Sequence, residues 1–212
     1  MMNNQKFVAI TQRVRYEARY QEYRDELDHR YVEWVLASGN IPVPVPNNIV
    51  TSEPTADINL TKWLESFNIQ AVILSGGNDI GEFERRDNTE NALLNWAEKN
   101  HCPVLGICRG MQFMGVRDGA TLMEVQGHVA TKHPIYLTNK AQESSRIVNS
   151  YHNYALQSCP DSFELSASSE QGFPEAIVHK TLPWQAWMWH PERENEFDLE
   201  DLKQFQELIN HV

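Results

Sequence analysis

The chain has 212 residues, of which 41% are hydrophobic, and a formal net charge of −11 at pH 7. This length can bury one sizeable core, and we expect a single domain over residues 1–212. The acidic charge repels phosphate backbones and argues against nucleic acid as a partner. Because no apolar run reaches the roughly 18–20 residues of a membrane span and no signal-peptide core is present, we expect no membrane association and a cytoplasmic location.

Cysteine and histidine spacing gives no sign of a bound metal. An odd, sparse set of thiols without a CxxC pair argues against a disulfide framework and against a zinc site. The thiols in question are Cys102, Cys108 and Cys159. The histidines without recognisable metal spacing are His128, His133, His152 and His179. The sequence therefore predicts no metal and no cofactor.

Apolar, β-rich runs alternate with helical patterns through the first half of the chain. The runs are KFVAIT, IPVPV, AVILS and CPVLGI. This alternation predicts a parallel sheet built from βα units. After Gly115 the sequence changes to short β-like runs, and a closing helix is predicted near Phe197 to His211. We therefore predict an α/β fold with extra short strands in its second half.

The first long helix is predicted over about Tyr16 to Ser38, with Gly39 placed to end it. Its apolar positions recur at spacings of three and four, which is typical of one buried helix face. The residues of this stripe are Tyr20, Tyr23, Leu27, Tyr31 and Trp34. We interpret these aromatic side chains as core packing.

The segment GICRGMQ, residues 106–112, places Cys108 between two glycines directly behind an apolar run. A strand that enters Gly-x-Cys-x-Gly and continues into a helix is typical of a nucleophile elbow, in which small flanking residues permit a sharp turn. The positive end of the following helix would stabilise a thiolate. Cys108 is therefore the candidate nucleophile, against the alternative of an inert buried thiol.

The segment WHPE follows the β-like run QAWMW and carries His190 and Glu192. A cysteine nucleophile needs an imidazole that takes its proton and returns it to the leaving amine. The imidazole in turn needs a carboxylate that fixes its tautomer. Cys108, His190 and Glu192 can fill these three roles.

The segment LSGGND, residues 74–79, ends the AVILS strand. Its glycines, Gly76 and Gly77, leave backbone N–H groups free to face a ligand. If the N–H groups of Gly77 and Arg109 converge, they form an oxyanion hole. The alternative is an ordinary glycine turn.

The segments SGGND, GICRGMQ and WHPE, in this order, resemble the class I glutamine amidotransferase superfamily and, within it, the gamma-glutamyl hydrolase branch of peptidase family C26. The resemblance spans nearly the whole chain and includes RRDNTE, residues 85–90, which is similar to an Arg-Asp element of this branch. It implies a flavodoxin-like, open and mostly parallel sheet with helices on both faces. It also implies hydrolysis of a gamma-glutamyl amide through a thioester on Cys108.

The same resemblance implies roles for residues around the substrate. Gly77 and Arg109 would form the oxyanion hole, and Gln112 would help to hold the glutamyl group. The segment VNSYHNYAL is similar to the family's Asn-Ser-x-His element but departs from it after the histidine. The pocket residues implied by this element are Ser150, Tyr151 and His152.

Four arginines fall within TQRVRYEARYQEYR, residues 11–24. Arg13 and Arg15 follow the first strand, and loops at the carboxyl ends of parallel strands form the ligand crevice. They are candidates to bind a phosphate or carboxylate, and the alternative is a solvated or ion-paired role. Arg19 and Arg24 are expected farther along the helix, where they would pair with carboxylates. The candidate carboxylates are Glu22, Asp25, Glu26 and Asp28.

The short chain and its ITQRV opening resemble a subset of the branch that hydrolyses gamma-glutamyl-CDP-amidate and releases cytidine diphosphoramidate for capsule phosphoramidate synthesis. A pyrophosphate-bearing leaving group would account for Arg13 and Arg15. Gamma-glutamyl-GABA, with a single carboxylate in its amine half, would need fewer arginines. Both compounds are candidate small-molecule substrates.

Three functional interpretations follow from the sequence. The favoured one is a stand-alone hydrolase that releases glutamate from a gamma-glutamyl conjugate. The second is a glutaminase subunit that supplies ammonia to a separate synthetase partner. The third is a non-catalytic binding module, which the three filled triad positions disfavour. Formation of a homodimer is left open.

Overall fold

A computed structural model describes residues 5–50, 56–138 and 144–210. The first half of the chain contains β1 (Phe7–Ile10), β2 (Arg13–Glu17), β3 (Glu22–Glu26), α1 (His29–Ala37), β4 (Ile41–Pro44), α2 (Ala56–Ser66), β5 (Ile69–Leu74), α3 (Glu84–Lys99), β6 (Val104–Ile107) and α4 (Arg109–Arg117). The second half contains β7 (Leu122–Glu124), β8 (Val129–Leu137), β9 (Ser144–Tyr151), β10 (Tyr154–Leu156), β11 (Phe163–Ser169), β12 (Pro174–His179), β13 (Trp184–Trp187), a 3₁₀ turn (Pro191–Arg193) and α5 (Leu199–Asn210).

A nine-stranded sheet forms the centre of the molecule, with the strand order β4-β1-β5-β6-β13-β12-β11-β8-β9. Neighbours from β4 to β13 pair in parallel, and neighbours from β13 to β9 pair antiparallel. The strands β7 and β10 form a separate antiparallel pair. The structure thus confirms the predicted open α/β sheet and the extra strands of the second half.

Alternation along the parallel strands explains why both faces of the sheet carry helices. Val8 and Ile10 lie in one core cluster with residues of α1 and α5, whereas Ala9 lies in another with residues of α2, α3 and α4. Successive side chains of a strand point to opposite faces, so a strand buried on both sides reads as a continuous apolar run. None of the described helices combines the length and hydropathy needed to cross a bilayer.

The prediction of a helix over Tyr16 to Ser38 is wrong in its first half, where β2 and β3 form an antiparallel hairpin. Tyr20 and Tyr23 are 55% and 66% exposed, so they do not belong to a buried helix face. The rings of Tyr16 and Tyr23 pair across the hairpin with centroids 4.9 Å apart. Because cross-strand aromatic pairs stabilise a hairpin, tertiary context overrides the helical spacing.

The helix begins only at His29, where the side chain of Asp28 caps it by accepting a hydrogen bond from the Arg30 N–H. Gly39, with φ of 82°, follows its end as predicted. The helical placement of Arg19 and Arg24 is also wrong, because Arg19 lies in the hairpin turn and Arg24 lies in β3. Arg24 nevertheless pairs with Glu22, one of its predicted partners, at 2.7 Å.

Candidate active site

Cys108 lies between the end of β6 and the first turn of α4, with φ of 52° and ψ of −104°. A positive φ is unfavourable for a residue with a β-carbon, and such strain often marks a functional position. The backbone is held there by a hydrogen bond from the Cys108 N–H to the Trp187 carbonyl, at 2.7 Å. The strand, turn and helix therefore form the sharp corner that the sequence predicts.

Close packing explains why residues 106 and 110, on either side of Cys108, are both glycines. A β-carbon on Gly106 would lie 2.7 Å from Sδ of Met114, and one on Gly110 would lie 2.2 Å from the carbonyl oxygen of Leu74. Neither contact is possible for a larger residue, so the glycines bring α4 against β5 and β6. This contact also sets the loop that follows β5 beside the first turn of α4.

His190 and Glu192 are brought together by the 3₁₀ turn that follows β13. Nδ1 of His190 donates to Oε1 of Glu192 over 2.6 Å, and both side chains are buried. Asn149 holds the backbone of His190 by accepting from its N–H at 2.9 Å and donating to its carbonyl at 2.8 Å. Arg30 donates to the Glu192 carbonyl at 3.1 Å, so α1 also fixes this turn.

The electrostatic surroundings of His190 favour its protonated form. Burial opposes protonation, but the negative charges of Glu192 and Cys108 outweigh it and raise the pKa of His190 to about 9. Hydrogen bonds with the Cys108 sulfur and with Glu192 act in the same direction. At neutral pH the imidazole therefore carries a proton that it can donate to a leaving group.

Gly76, in the loop after β5, lies directly against the imidazole. A β-carbon on Gly76 would lie 2.7 Å from Cε1 of His190. The Gly76 N–H donates to the hydroxyl of Tyr31 at 3.0 Å, so the expectation that this N–H is free to face a ligand is wrong. Burial and the charge of Glu192 hold the pKa of Tyr31 well above its usual value, so this phenol stays neutral. Tyr31 was interpreted from the sequence only as core packing, and its contact with the site has no sequence signal.

The two predicted oxyanion-hole donors belong to the segments that meet at the contact between Gly110 and Leu74. Arg109 directly precedes Gly110, and Gly77 is in the loop that follows Leu74. Gly77 has φ of 84°, a conformation that favours glycine. Within the described part of the chain, the backbone N–H groups of Gly77 and Arg109 donate no hydrogen bond. They are thus available to a bound ligand.

A buried network of charges supports the loop that carries Gly76 and Gly77. Arg86 donates to the carbonyls of Ser75 and Gly76 at 2.8 and 3.1 Å, and also to the carbonyl of Gly77. Its Nε donates to Glu90 at 3.0 Å. Burial raises the pKa of Glu90, but nearby guanidinium charges outweigh burial and leave this pKa below its usual value. Arg86 is in the RRDNTE segment singled out from the sequence, but its three carbonyl contacts were not predicted.

The Arg109 side chain joins the same network from α4. Its guanidinium contacts the carboxylates of Glu90 and Asp87 and is almost fully buried. The Arg109 side chain is thus held by these carboxylates, whereas its backbone N–H directly follows Cys108 at the start of α4. Glu90 therefore connects the arginines of α3 and α4.

The residues predicted to line the substrate pocket differ in how far they are exposed to solvent and in their hydrogen-bond partners. Gln112 is buried on α4 and donates to the Tyr154 carbonyl at 2.8 Å. The Ser150 hydroxyl donates to the His128 carbonyl at 2.7 Å. Tyr151 is exposed, and its ring lies edge-to-face against His190 with centroids 5.8 Å apart. Of these residues, Tyr151 is the one with a direct ring contact to the imidazole.

His152, the last of the predicted pocket residues, is buried. Its Nδ1 forms a hydrogen bond with the Tyr154 carbonyl at 3.0 Å. Burial, assisted by the neighbouring His128, lowers the pKa of His152 to about 3, so the ring is neutral at pH 7. Its ring lies beside that of His128, with centroids 4.8 Å apart.

Arg13 and Arg15 lie on β2, whose backbone is docked onto the loop after β5. Asn78 accepts from the Val14 N–H at 2.7 Å and donates to the Val14 carbonyl at 3.1 Å. A β-carbon on Gly77 would be 3.3 Å from Cδ of Arg13, so the stem of this arginine covers the loop. Both arginines pair with Glu26 at 3.2 Å in exposed positions. Exposed pairs of this kind contribute at most about 1 kcal/mol and exchange readily for another anion.

Comparison with known proteins places the chain in a family. The profile of the glutamine amidotransferase class-I family matches residues 29–205. The chain belongs to this family. This member of the family is similar to the gamma-glutamyl-CDP-amidate hydrolase of Campylobacter jejuni, with 29% identity across 96% of this chain and 98% of that protein.

Two further comparisons concern proteins that are named as GMP synthase subunits. The glutamine-hydrolysing GMP synthase subunit of Methanocaldococcus jannaschii is 27% identical over 84% of this chain and 87% of its own length. The crystal structure of a putative GMP synthase subunit from Thermoplasma acidophilum superposes with a TM-score of 0.70. It covers 98% of this chain and 94% of its own chain at 22% identity, and it therefore supports the fold alone.

Proposed function

We propose that this chain is a cysteine hydrolase that cleaves the gamma-glutamyl amide bond of a small conjugate and releases glutamate. The observation that carries the proposal is the strained corner at Cys108, paired with an imidazole whose Nδ1 is hydrogen-bonded to Glu192. The similarity to a gamma-glutamyl amide hydrolase along almost the whole chain supports it.

In the reactive state the proton of Cys108 has already passed to His190. The thiolate attacks the gamma-carbonyl carbon, and the negative charge that develops on its oxygen is stabilised by the N–H groups of Gly77 and Arg109. The imidazolium then donates its proton to the leaving nitrogen as the carbon–nitrogen bond breaks. A glutamyl thioester remains on Cys108. His190 next takes a proton from water, whose oxygen attacks the thioester carbonyl carbon. The carbon–sulfur bond then breaks, which releases glutamate and restores the Cys108 thiolate.

Glu192 and Arg86 position the reacting groups in this scheme. The Glu192 carboxylate fixes the His190 tautomer in which Nε2 is the nitrogen that exchanges protons with the sulfur. Arg86 binds the backbone carbonyls of the loop after β5. Because the C=O and N–H of a trans peptide unit point in opposite directions, these bonds also orient the N–H groups of the loop. Pre-oriented donors avoid reorganisation during the reaction and lower its barrier.

Gamma-glutamyl-CDP-amidate is the proposed substrate, with gamma-glutamyl-GABA as the second choice. The named activity of the Campylobacter relative supports the nucleotide. Arg13 supports it independently, because its stem lies against Gly77 in the loop after β5, and Arg15, which is also exposed, shares its partner Glu26. A pyrophosphate could replace Glu26 as their partner.

The second candidate is a glutaminase subunit that delivers ammonia to a separate synthetase. The similarity to the GMP synthase subunit of Methanocaldococcus supports this alternative. It predicts that the isolated chain turns over free glutamine slowly and is activated by its partner. The same triad would serve both reactions, so the substrate distinguishes them.

The decisive experiment measures glutamate release by the isolated chain from gamma-glutamyl-CDP-amidate, gamma-glutamyl-GABA and glutamine. We expect rapid release from a gamma-glutamyl conjugate and slow release from glutamine. The Cys108→Ser variant is the control for contaminating activity and should release none. Turnover of no conjugate, together with glutamine hydrolysis that rises when a synthetase is added, would favour the second candidate.

A further inference from the structure

A second cluster of chemically competent side chains lies outside the Cys108 site. It comprises His128 just before β8, His133 within β8 and Glu175 on β12. One potential ligand atom from each residue lies within 4.8 Å of the others. The strands β8 and β12 lie on either side of β11 in the sheet, and Glu175 is distant from both histidines in the sequence, so no motif spacing indicated the cluster.

The polar atoms of this cluster lack partners among the described residues. Both carboxylate oxygens of Glu175, Nδ1 of His128 and Nε2 of His133 are buried and form no hydrogen bond. Glu175 is only 1% exposed. The nearest cationic candidate is Nε2 of His133, 3.5 Å from Oε1 of Glu175, which is a long ion-pair distance. A buried carboxylate without hydrogen bonds is strongly unfavourable unless a cation neutralises it.

We infer that His128, His133 and Glu175 bind one divalent transition-metal ion of the zinc class. Two imidazole nitrogens and one carboxylate oxygen are a common protein ligand set for Zn²⁺ and related ions, whereas Mg²⁺ and Ca²⁺ prefer oxygen ligands. Zinc–nitrogen bonds of about 2.0–2.1 Å require ligands closer together than they stand here. Binding would therefore draw the three side chains inward.

His152 lies beside the cluster, with its ring centroid 4.8 Å from that of His128, and it would have to move inward to act as a fourth ligand. A carbonyl oxygen can only accept, so the hydrogen bond to Tyr154 places the proton of His152 on Nδ1. The free lone pair is then on Nε2, which is buried without a partner among the described residues. A histidine that ligates a metal through one nitrogen usually donates the other N–H to a carbonyl or carboxylate in this way.

The ion would fix the segment that carries Tyr151 without touching the reacting atoms. The His128 carbonyl accepts from the Ser150 hydroxyl and from the His152 N–H, at 2.7 and 3.0 Å. Tyr151 lies between these two residues and against the His190 ring. The role is therefore one of positioning, and the inference does not depend on which amide the enzyme cleaves.

The test uses the full-length chain after treatment with a chelator, titrated with Zn²⁺ by calorimetry and with Co²⁺ by visible absorption. We expect one ion per chain and d–d absorption bands typical of nitrogen and oxygen ligands. Glu175→Gln and His133→Gln should each weaken Zn²⁺ binding by about 100-fold or more. The matched controls Glu164→Gln and His29→Gln change exposed residues and should bind as the wild type does.

Several outcomes would overturn the inference. One is a wild-type chain that binds neither ion, which would show that the cluster is not a metal site. Another is Zn²⁺ binding that is unchanged in His133→Gln. His133 is partly exposed, so this variant is expected to fold, and circular dichroism checks its folding. A third is loss of binding in Cys108→Ser, because the ion would then belong to the thiol site.

Discussion

Gly76 and His190 are in such close contact that a single added methyl group on the glycine would lie 2.7 Å from Cε1 of the imidazole. The imidazole is already fixed by Glu192 and by its backbone bonds to Asn149, so it has little freedom to move away. The space available at residue 76 therefore sets the position of the base relative to the thiol.

We predict that Gly76→Ala lowers kcat by about 100-fold, the loss expected when a catalytic group is displaced by about 1 Å. Steady-state kinetics and a thermal melt of the same preparation measure activity and folding separately. Gly119→Ala is the control, because Gly119 has a positive φ, which is strained for an alanine, but has no atom outside its chain neighbours within 4 Å of the added carbon. The control should lose stability and keep its kcat. A Gly76→Ala variant with wild-type kcat would contradict the packing argument.

Cys108→Ala and His190→Ala should each abolish nearly all turnover, because the nucleophile and its base act as a unit. The double variant should then be no slower than the slower of the two single variants. Single-turnover assays of glutamate release measure all three. A double variant far below either single variant would show that the two residues act independently.

Glu192→Gln should lower the pKa of His190, because it removes the adjacent negative charge that raises this pKa to about 9. A pKa raised above the ordinary value of 6.5 contributes stability that is fully present below about pH 6.5 and is lost as the pH rises through about 9. For a shift of this size the contribution is at most about 3 kcal/mol.

Urea unfolding of the wild type should therefore show a falling free energy of unfolding between about pH 7 and pH 9.5. In Glu192→Gln this fall should be weaker and should occur at lower pH, and kcat should drop less than in His190→Ala. Glu196→Gln, with an exposed carboxylate, is the control and should keep the wild-type profile. Equal slopes in wild type and Glu192→Gln would refute the assignment.

Arg86→Lys should reduce kcat by about 10- to 1000-fold, since a lysine cannot bind three carbonyls and Glu90 together. KM should change less, because the loop donors act mainly on the transition state. Arg85→Lys is the matched control at the neighbouring, exposed position. If kcat is retained while stability falls, Arg86 serves only the fold.

Arg13→Ala or Arg15→Ala should lower kcat/KM for gamma-glutamyl-CDP-amidate by roughly 10- to 100-fold, as expected for a charge-assisted contact of about 1.5–3 kcal/mol. Hydrolysis of glutamine should hardly change, because glutamine has no phosphate. Arg24→Ala removes an equally exposed arginine paired with Glu22 and should have no effect on either substrate. Equal losses for both substrates, or none, would mean that these arginines do not contact the leaving group.

The sequence predicted the elements whose signals are local. The buried parallel strands read as apolar runs, and the corner at Cys108 is contained within seven residues. The hairpin was missed because Tyr20 and Tyr23 fit a helical spacing, while the bonds between Asn78 and Val14 that dock the strand come from a distant loop. Contacts between residues so distant in sequence produce no periodic pattern of apolar residues from which they could be predicted.

The same limit applies within the candidate site. His190 and Glu192 are two residues apart, so a turn could be expected to join them. The hydrogen bonds of Asn149 to His190 and the contact of Tyr31 with Gly76 depend on strand and helix packing. These supporting residues were recognisable only from the assembled sheet.

The position of β13 has a consequence for the order in which the molecule assembles. It is the last strand of the described chain, yet it pairs with β6 on one side and with β12 on the other. During synthesis, Cys108 therefore leaves the ribosome well before the strand that delivers its base. Pairing between segments so distant in sequence is slow to form. The nascent chain thus carries an unactivated thiol, and its reactive sulfur arises only when the sheet closes.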